Sequence, residues 1–225
     1  MLGGILRVGL QSMVIVTEFG CAVQAYVDGF CQLVFPRPVA CPRCHAPDVL
    51  IGHGFYQRKA LEPTQTYAVR VKRWYCNACH GTTSLLPSFL FSFRHYLVIT
   101  IQRVVVARYE GKNSRVKVAR DCAPQGAPDA RTIRRWCDAF AEHASTWLAA
   151  VQRTLAEHDA ASPLLDPLCA TAGLHDAPPR ALLHAALHLL AWAKTRWAEL
   201  VGYSLEDRLR FLWHWGAGRG LGRLV

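Results

Sequence analysis

The chain contains 225 residues, of which 52% are hydrophobic and 19% are charged, a composition that supports a buried core and excludes a wholly disordered protein. Its formal net charge of +10 favours an anionic partner such as nucleic acid. The excess lies in residues 53–135, which contain 15 Lys and Arg but four Asp and Glu. No apolar run approaches the ~20 residues that span a bilayer, and no secretory signal is evident, so we expect a cytoplasmic protein with no membrane partner.

The first element in chain order is a strand near Met13, in the sequence MVIVTEFG, where Val14 and Val16 flank Ile15. Residues 1–12 lack a clear pattern, and Met13 is an alternative start of the natural chain. Residues 1–40 therefore form an N-terminal segment to which the sequence assigns no function.

The chain has nine cysteines, and four of them form two Cys-x-x-Cys pairs. Reduced cysteines at this spacing are typical metal ligands, and each pair can supply half of a tetrahedral zinc site. We predict one structural Zn²⁺ bound by Cys41, Cys44, Cys76 and Cys79. Such a site has no open position, so we predict no enzymatic activity. An iron tetrathiolate of an electron carrier is the alternative, and two disulfides are disfavoured by the compartment.

The segment between the two cysteine pairs predicts a hairpin, with strands over 52–60 and 66–76 and a turn over 61–65. Together with the cysteines it forms a zinc ribbon over residues 41–90. Its cations are interleaved with aromatic residues, a pattern that suits phosphates and bases. The predicted nucleic-acid contacts of the ribbon are Arg58, Lys59, Arg70, Lys72 and Arg73. RNA binding is the alternative to DNA binding.

Residues 91–160 predict a mainly helical region. Helices are expected over 93–111, over 113–123 with Ser114 as N-cap, and over 129–158 with Asp129 as N-cap. The short middle helix is expected to direct Val116, Val118 and Ala119 inward, and Cys122 and Cys137 are expected to be buried.

The third of these helices has the clearest amphipathic pattern in the chain. Its apolar stripe consists of Ile133, Trp136, Cys137, Phe140, Ala144, Trp147, Leu148, Val151 and Leu155. Its opposite face begins with basic residues, as the recognition helix of a helix-turn-helix does. The predicted contacts here are Arg131, Thr132, Arg134 and Arg135, with Arg115 and Lys117 on the helix before. An ordinary amphipathic helix with a solvated basic face is the alternative.

The stretch CPRCHAPDVLIGHGFYQR…VRVKRWYCNACHGTTSLLPSF resembles the zinc ribbon of bacterial insertion-sequence transposases and of small transposase-associated proteins of unknown function. Beyond the cysteines, the shared positions are His53, Gly54, Tyr56, Arg58, Arg73, Thr82, Ser84, Leu86 and Pro87. ARTIRRWCDAF is similar to the helix-turn-helix that follows in such proteins. The resemblance implies zinc at the four cysteines and binding of DNA ends or target DNA. The three-carboxylate catalytic core of those transposases has no counterpart in this sequence, so we expect a non-catalytic relative.

Residues 161–180 are rich in Pro and Ala and predict a linker, followed by Trp-rich helices within 181–225. Ser204 and Asp207 approximate a capping box for the second helix, and the final GAGRGLGRLV is expected to be flexible. Three interpretations of this Trp-rich region remain open. It packs on the helical region, it mediates self-association, or it binds a transposase or another protein partner as part of a scaffold. His184 and His188 are four residues apart, but no third ligand is evident and no metal site is predicted there. The expected fold class is α+β: a β-type zinc ribbon, a mainly α helix-turn-helix region and C-terminal helices.

Overall fold

The structure is a computed structural model that describes residues 4–8, 12–123, 126–158, 178–200 and 203–225. Its class is α+β, as predicted. Two compact units divide the chain: residues 1–98 with 213–222, and residues 99–212 with 223–225. None of the helices within the described ranges combines the length and hydropathy needed to cross a bilayer.

The first unit contains a five-stranded sheet in the order β1-β2-β5-β4-β3. Its strands are β1 (Gly4–Val8), β2 (Ser12–Thr17), β3 (Leu50–Leu61), β4 (Thr66–Cys76) and β5 (Thr82–Pro87). β2 and β5 are parallel, whereas the other neighbours are antiparallel. The predicted hairpin is confirmed as β3 and β4. β1 and β5 are additions that local periodicity did not indicate.

The alternation of β4 decides which side of the hairpin is buried. Tyr67, Val69 and Val71 are buried, whereas Ala68 and Arg70 between them are exposed. This pattern is what a half-buried strand requires, and it matches the predicted alternation.

The helices are α1 (Val23–Asp28), α2 (Val98–Tyr109), α3 (Arg115–Cys122), α4 (Ala130–His158), α5 (Pro178–Arg196) and α6 (Arg208–Ala217). Short 3₁₀ turns lie at Phe30–Gln32, Ala198–Leu200 and Leu205–Asp207. In the second unit, α4 presents the predicted apolar stripe to the core: all its members are buried except Leu148, which is half-buried.

Several predicted boundaries are corrected. α2 begins at Val98, five residues later than predicted, because the N–H groups of Leu97 and Val98 donate to Leu61 and Phe89 carbonyls instead. Val116 is 81% exposed and does not point inward, and Cys122 is only half-buried, whereas Cys137 is buried as predicted.

The C-terminal region also differs from the prediction. α5 begins at Pro178, inside the predicted linker, and residues 161–177 of that linker lie outside the described residues. The end of the chain is not a loose tail: Leu224 and Val225 are buried, and the Trp147 indole N–H donates to the Arg223 carbonyl at 3.1 Å. The predicted capping contact is present, since the Ser204 N–H donates to Asp207 Oδ2 at 2.9 Å.

Candidate metal centre and nucleic-acid surface

The four predicted ligands meet at the end of the β3–β4 hairpin. Their sulfur atoms all lie within 4.8 Å of one another, with Cys41 and Cys79 3.8 Å apart and Cys44 and Cys76 3.7 Å apart. A tetrahedron with metal–sulfur bonds of about 2.3 Å has an edge of about 3.8 Å. A disulfide would need about 2.05 Å. The cluster is therefore an arrangement that can hold one metal ion, and the disulfide alternative is wrong for this structure.

The two cysteine loops have the same backbone hydrogen bonds, although 31 residues lie between them in sequence. The His45 N–H donates to the Cys41 carbonyl at 2.8 Å, and the His80 N–H donates to the Cys76 carbonyl at 2.9 Å. Cys41 and Cys76 each donate 2.9 Å bonds to the carbonyl five residues ahead. Each loop therefore folds back within a single turn, so that its two sulfurs point to one side.

Each loop also directs N–H groups at its first sulfur. Arg43 N–H donates to Cys41 Sγ, and Cys79 N–H to Cys76 Sγ, both at 3.4 Å. Burial raises the pKa of the Cys76 thiol, but bonds from the Cys79 and Ala78 N–H groups outweigh it and bring that pKa to about 7. Such N–H groups stabilise thiolate, which is the form that binds metal.

The surroundings of the cluster are apolar on one side and open on the other. Cys41, Leu50 and Cys76 are buried together, with Val49 and Trp74 packed against them, whereas Cys44 is exposed. The histidines that follow each pair, His45 and His80, are exposed and lie outside the sulfur group. His80 Nδ1 instead lies 2.8 Å from the Tyr75 hydroxyl.

The ribbon cations divide between the two sides of the sheet. Arg58 on β3 lies opposite Val69 on β4, which is buried, so both residues are on the core-facing side of the sheet. The Arg58 guanidinium donates to the Phe91 carbonyl at 2.5 Å and to the Arg94 carbonyl. Burial lowers the pKa of Arg58. In the structure, the Arg58 guanidinium therefore braces the loop that precedes α2. Arg73 is also on the core-facing side, and its Nε is buried.

Lys59, Arg70 and Lys72 lie on the opposite side, as a surface contact requires. The Arg70 guanidinium is 3.6 Å from the centre of the Phe30 ring. Lys72 Nζ lies 4.6 Å from the Phe55 ring and 4.9 Å from the Trp74 ring. Such cation–π contacts hold the charges at the surface with their rings beneath them.

The N-terminal segment contributes to this side of the ribbon, which the sequence analysis missed. Phe30 and Phe35 contact Phe55 edge-on, with ring centres 5.1 and 5.3 Å apart. The signal available in the sequence was the recurrence of aromatic residues in that segment, at Phe19, Tyr26, Phe30 and Phe35.

The caps that begin α3 and α4 are those predicted. Ser114 Oγ accepts from the Lys117 N–H at 3.2 Å, and Asp129 Oδ1 accepts from the Thr132 N–H at 2.8 Å. The Thr132 hydroxyl donates to Asp129 Oδ2, so this side chain belongs to the cap. Seven residues, 123–129, join the two helices, more than the 3–4 typical of a helix-turn-helix turn.

The cations of α3 are paired, whereas those of α4 form no ion pair with any residue that the structure describes. Arg115 contacts Asp138 at 2.5 Å, and Lys117 contacts Asp121 at 2.8 Å. The unpaired set is exposed and, within the part of the chain that the structure describes, forms no ion pair: Arg131, Arg134 and Arg135. The solvent-exposed face at the start of α4 therefore carries three guanidinium groups without an ion-pair partner among the described residues.

Comparison with known proteins finds one family model, described as a domain of unknown function (DUF6431), which matches residues 41–136. No curated protein matches the chain. No solved structure matches it either. The matched stretch contains both cysteine loops, the hairpin, α2, α3 and the basic start of α4. Over these residues, the chain is similar to a family whose function is not known.

Proposed function

We propose that the protein is a zinc-containing DNA-binding protein, associated with a transposase or related to one without its catalytic core. The observation that carries this proposal is the cluster of three exposed, unpaired arginines in the first two turns of α4. The tetrathiolate group and the family resemblance of the ribbon support it.

In this proposal the metal is zinc, with one structural ion per chain. Four cysteine ligands leave no coordination position for water or substrate, so the ion supplies folding energy rather than catalysis. Iron fits the same sulfur geometry, but zinc is the usual ion of two Cys-x-x-Cys loops joined by a hairpin. Oxidised iron would colour the protein, whereas zinc would not.

The DNA contacts are assigned first to Arg131, Arg134 and Arg135. They step by three and four residues along one helical face, while Ile133 and Trp136 hold the other face in the core. An arginine can donate two bonds to guanine O6 and N7, or bind a phosphate. Lys59, Arg70 and Lys72 of the ribbon add phosphate contacts, whereas Arg115 and Lys117 would first have to leave their carboxylate partners.

The association with a transposase rests on the motif resemblance. Its shared positions Thr82, Ser84, Leu86 and Pro87 all lie on β5, which pairs with β4, so this part of the motif describes the ribbon fold. A transposase or a second copy of the chain would bind the exposed part of the C-terminal helices.

Elemental analysis combined with a salt series of duplex DNA binding tests the proposal. We expect one zinc per chain and an affinity that falls steeply with salt. Each phosphate contact contributes about 0.9 to the slope of log K against log salt, so R131A/R134A/R135A should lower it by up to about 2.7. The matched control is R115A/K117A, whose cations are already paired and should change the slope less. A triple variant with unchanged affinity and slope would contradict the assignment.

RNA is the second candidate, favoured by the ribbon side that carries Lys72 between Phe55 and Trp74. Phe55 is 41% exposed, so a splayed base could stack on it. Competition between duplex DNA and single-stranded RNA separates the two, and Phe55→Leu should weaken only the RNA complex.

A further inference from the structure

α5 carries two histidines one turn apart, His184 and His188. Residues four apart on a helix share a face, so their side chains can meet. His184 is exposed and His188 is half-buried. The sequence predicted no site here because it showed no third ligand, but it could not show how the two rings are oriented.

The two Nε2 atoms face each other at 3.4 Å, with ring centres 4.6 Å apart and planes inclined by 74°. A hydrogen bond with a ring N–H donor is normally about 2.9–3.0 Å long, and 3.4 Å exceeds its usual range. Two nitrogens on a tetrahedral ion at about 2.0–2.1 Å are about 3.3–3.4 Å apart. The observed distance therefore matches that between two ligands of one metal ion, although it also corresponds to a long hydrogen bond.

The protonation of the pair is compatible with ligation. Burial lowers the pKa of His188, and the neighbouring His184 lowers it further. The neutral imidazole is the form that binds metal. When both rings carry their proton on Nδ1, both Nε2 atoms are unprotonated and can bind a shared cation.

We propose that His184 and His188 form a second metal site, a two-histidine chelate for a borderline divalent ion such as Zn²⁺. Imidazole ligands suit Zn²⁺ and its neighbours in the first transition row. Unlike the tetrathiolate, this site offers two protein ligands and leaves its remaining positions to exchangeable ligands. The ion bound there is therefore exchangeable, while the ion in the cysteine cluster is retained.

The test is zinc stoichiometry of the full chain after dialysis against micromolar free Zn²⁺. We expect about two zinc ions per chain for the wild type and about one for His184→Gln and for His188→Gln. His184 is exposed, so its substitution should leave the fold intact, which far-ultraviolet circular dichroism checks. His143→Gln on α4 is the matched control and should retain about two.

A second readout identifies the ligands directly. Nitrogen-15 NMR of the imidazole rings should show the Nε2 resonances of His184 and His188 shifting on addition of Zn²⁺, while those of His143 do not. A wild-type protein that binds one zinc, or a His188→Gln variant that still binds two, would overturn the proposal. Neither result depends on DNA binding, so this site and the proposed function can fail separately.

Discussion

Replacement of Arg58 by methionine separates a structural from a nucleic-acid role for this ribbon cation. Methionine keeps much of the aliphatic stem and removes the guanidinium that donates to the Phe91 and Arg94 carbonyls. We expect the first unit to be destabilised while the salt dependence of DNA binding is unchanged.

The magnitude follows from the two lost hydrogen bonds. A bond from a charged donor contributes about 1.5–3 kcal/mol to stability. The low end applies, because Arg58 is only partly buried. The expected loss is therefore about 3 kcal/mol, which at a urea m-value of about 2 kcal/mol/M lowers the unfolding midpoint by about 1.5 M.

The assay is urea unfolding at fixed free zinc, followed by a salt series of duplex binding on the folded variant. Lys59→Met is the matched control, since it removes a neighbouring exposed cation that donates to no carbonyl among the described residues. It should change stability by less than about 0.5 kcal/mol and lower the salt slope by about 0.9. If Arg58→Met were as stable as the wild type and lost salt dependence, the assignment of Arg58 to the loop would be wrong.

Three further predictions concern the metal, a helix cap and the end of the chain. Cys76→Ser should abolish metal binding, measured by elemental analysis, and unfold the ribbon, seen as loss of dispersion in its amide NMR signals. Ser114→Ala should cost about 1 kcal/mol in denaturant unfolding, because it removes the acceptor of the Lys117 N–H. Leu224→Ala should cost about 2–5 kcal/mol in the same assay, because Leu224 is fully buried.

Each of these has an outcome that would refute it. A folded, metal-free Cys76→Ser protein would show that the ribbon does not need its ion. Unchanged stability of Ser114→Ala would show that the Ser114 cap does not stabilise α3. Arg219→Ala, at an exposed neighbouring position, is the control for Leu224, and equal effects of the two would mean that the last residues are not packed as described.

The ligands of the metal cluster were predictable because each pair is local. Cys-x-x-Cys places two sulfurs in one turn, and the alternation from Tyr67 to Val71 fixes the buried side of β4. The caps at Ser114 and Asp129 are equally local, since each involves residues three apart. None of these features needed knowledge of a distant partner.

The role of Arg58 was not predictable, because a shift in register decides it. Gly52 pairs with Trp74, but Phe55 pairs with Lys72, so β3 contains one extra residue at this point. Without that β-bulge, Arg58 would lie opposite Ala68, on the exposed side. With it, Arg58 lies opposite Val69, because one extra residue reverses the side of every residue that follows.

The sequence by itself determined the α+β class, the four cysteines of the candidate metal site, the hairpin and the amphipathic face of α4. Each of these features depends mainly on residues that are close together in the sequence. The tertiary structure decided what depends on distant segments: the parallel pairing of β2 with β5, the late start of α2 and the burial of Leu224. It also decided the 3.4 Å distance between the Nε2 atoms of His184 and His188. The four-residue spacing allows the two side chains to meet, but their rotamers determine how closely. The physical reason is common to all of them: periodicity records which face a residue occupies, but not which segment packs against that face.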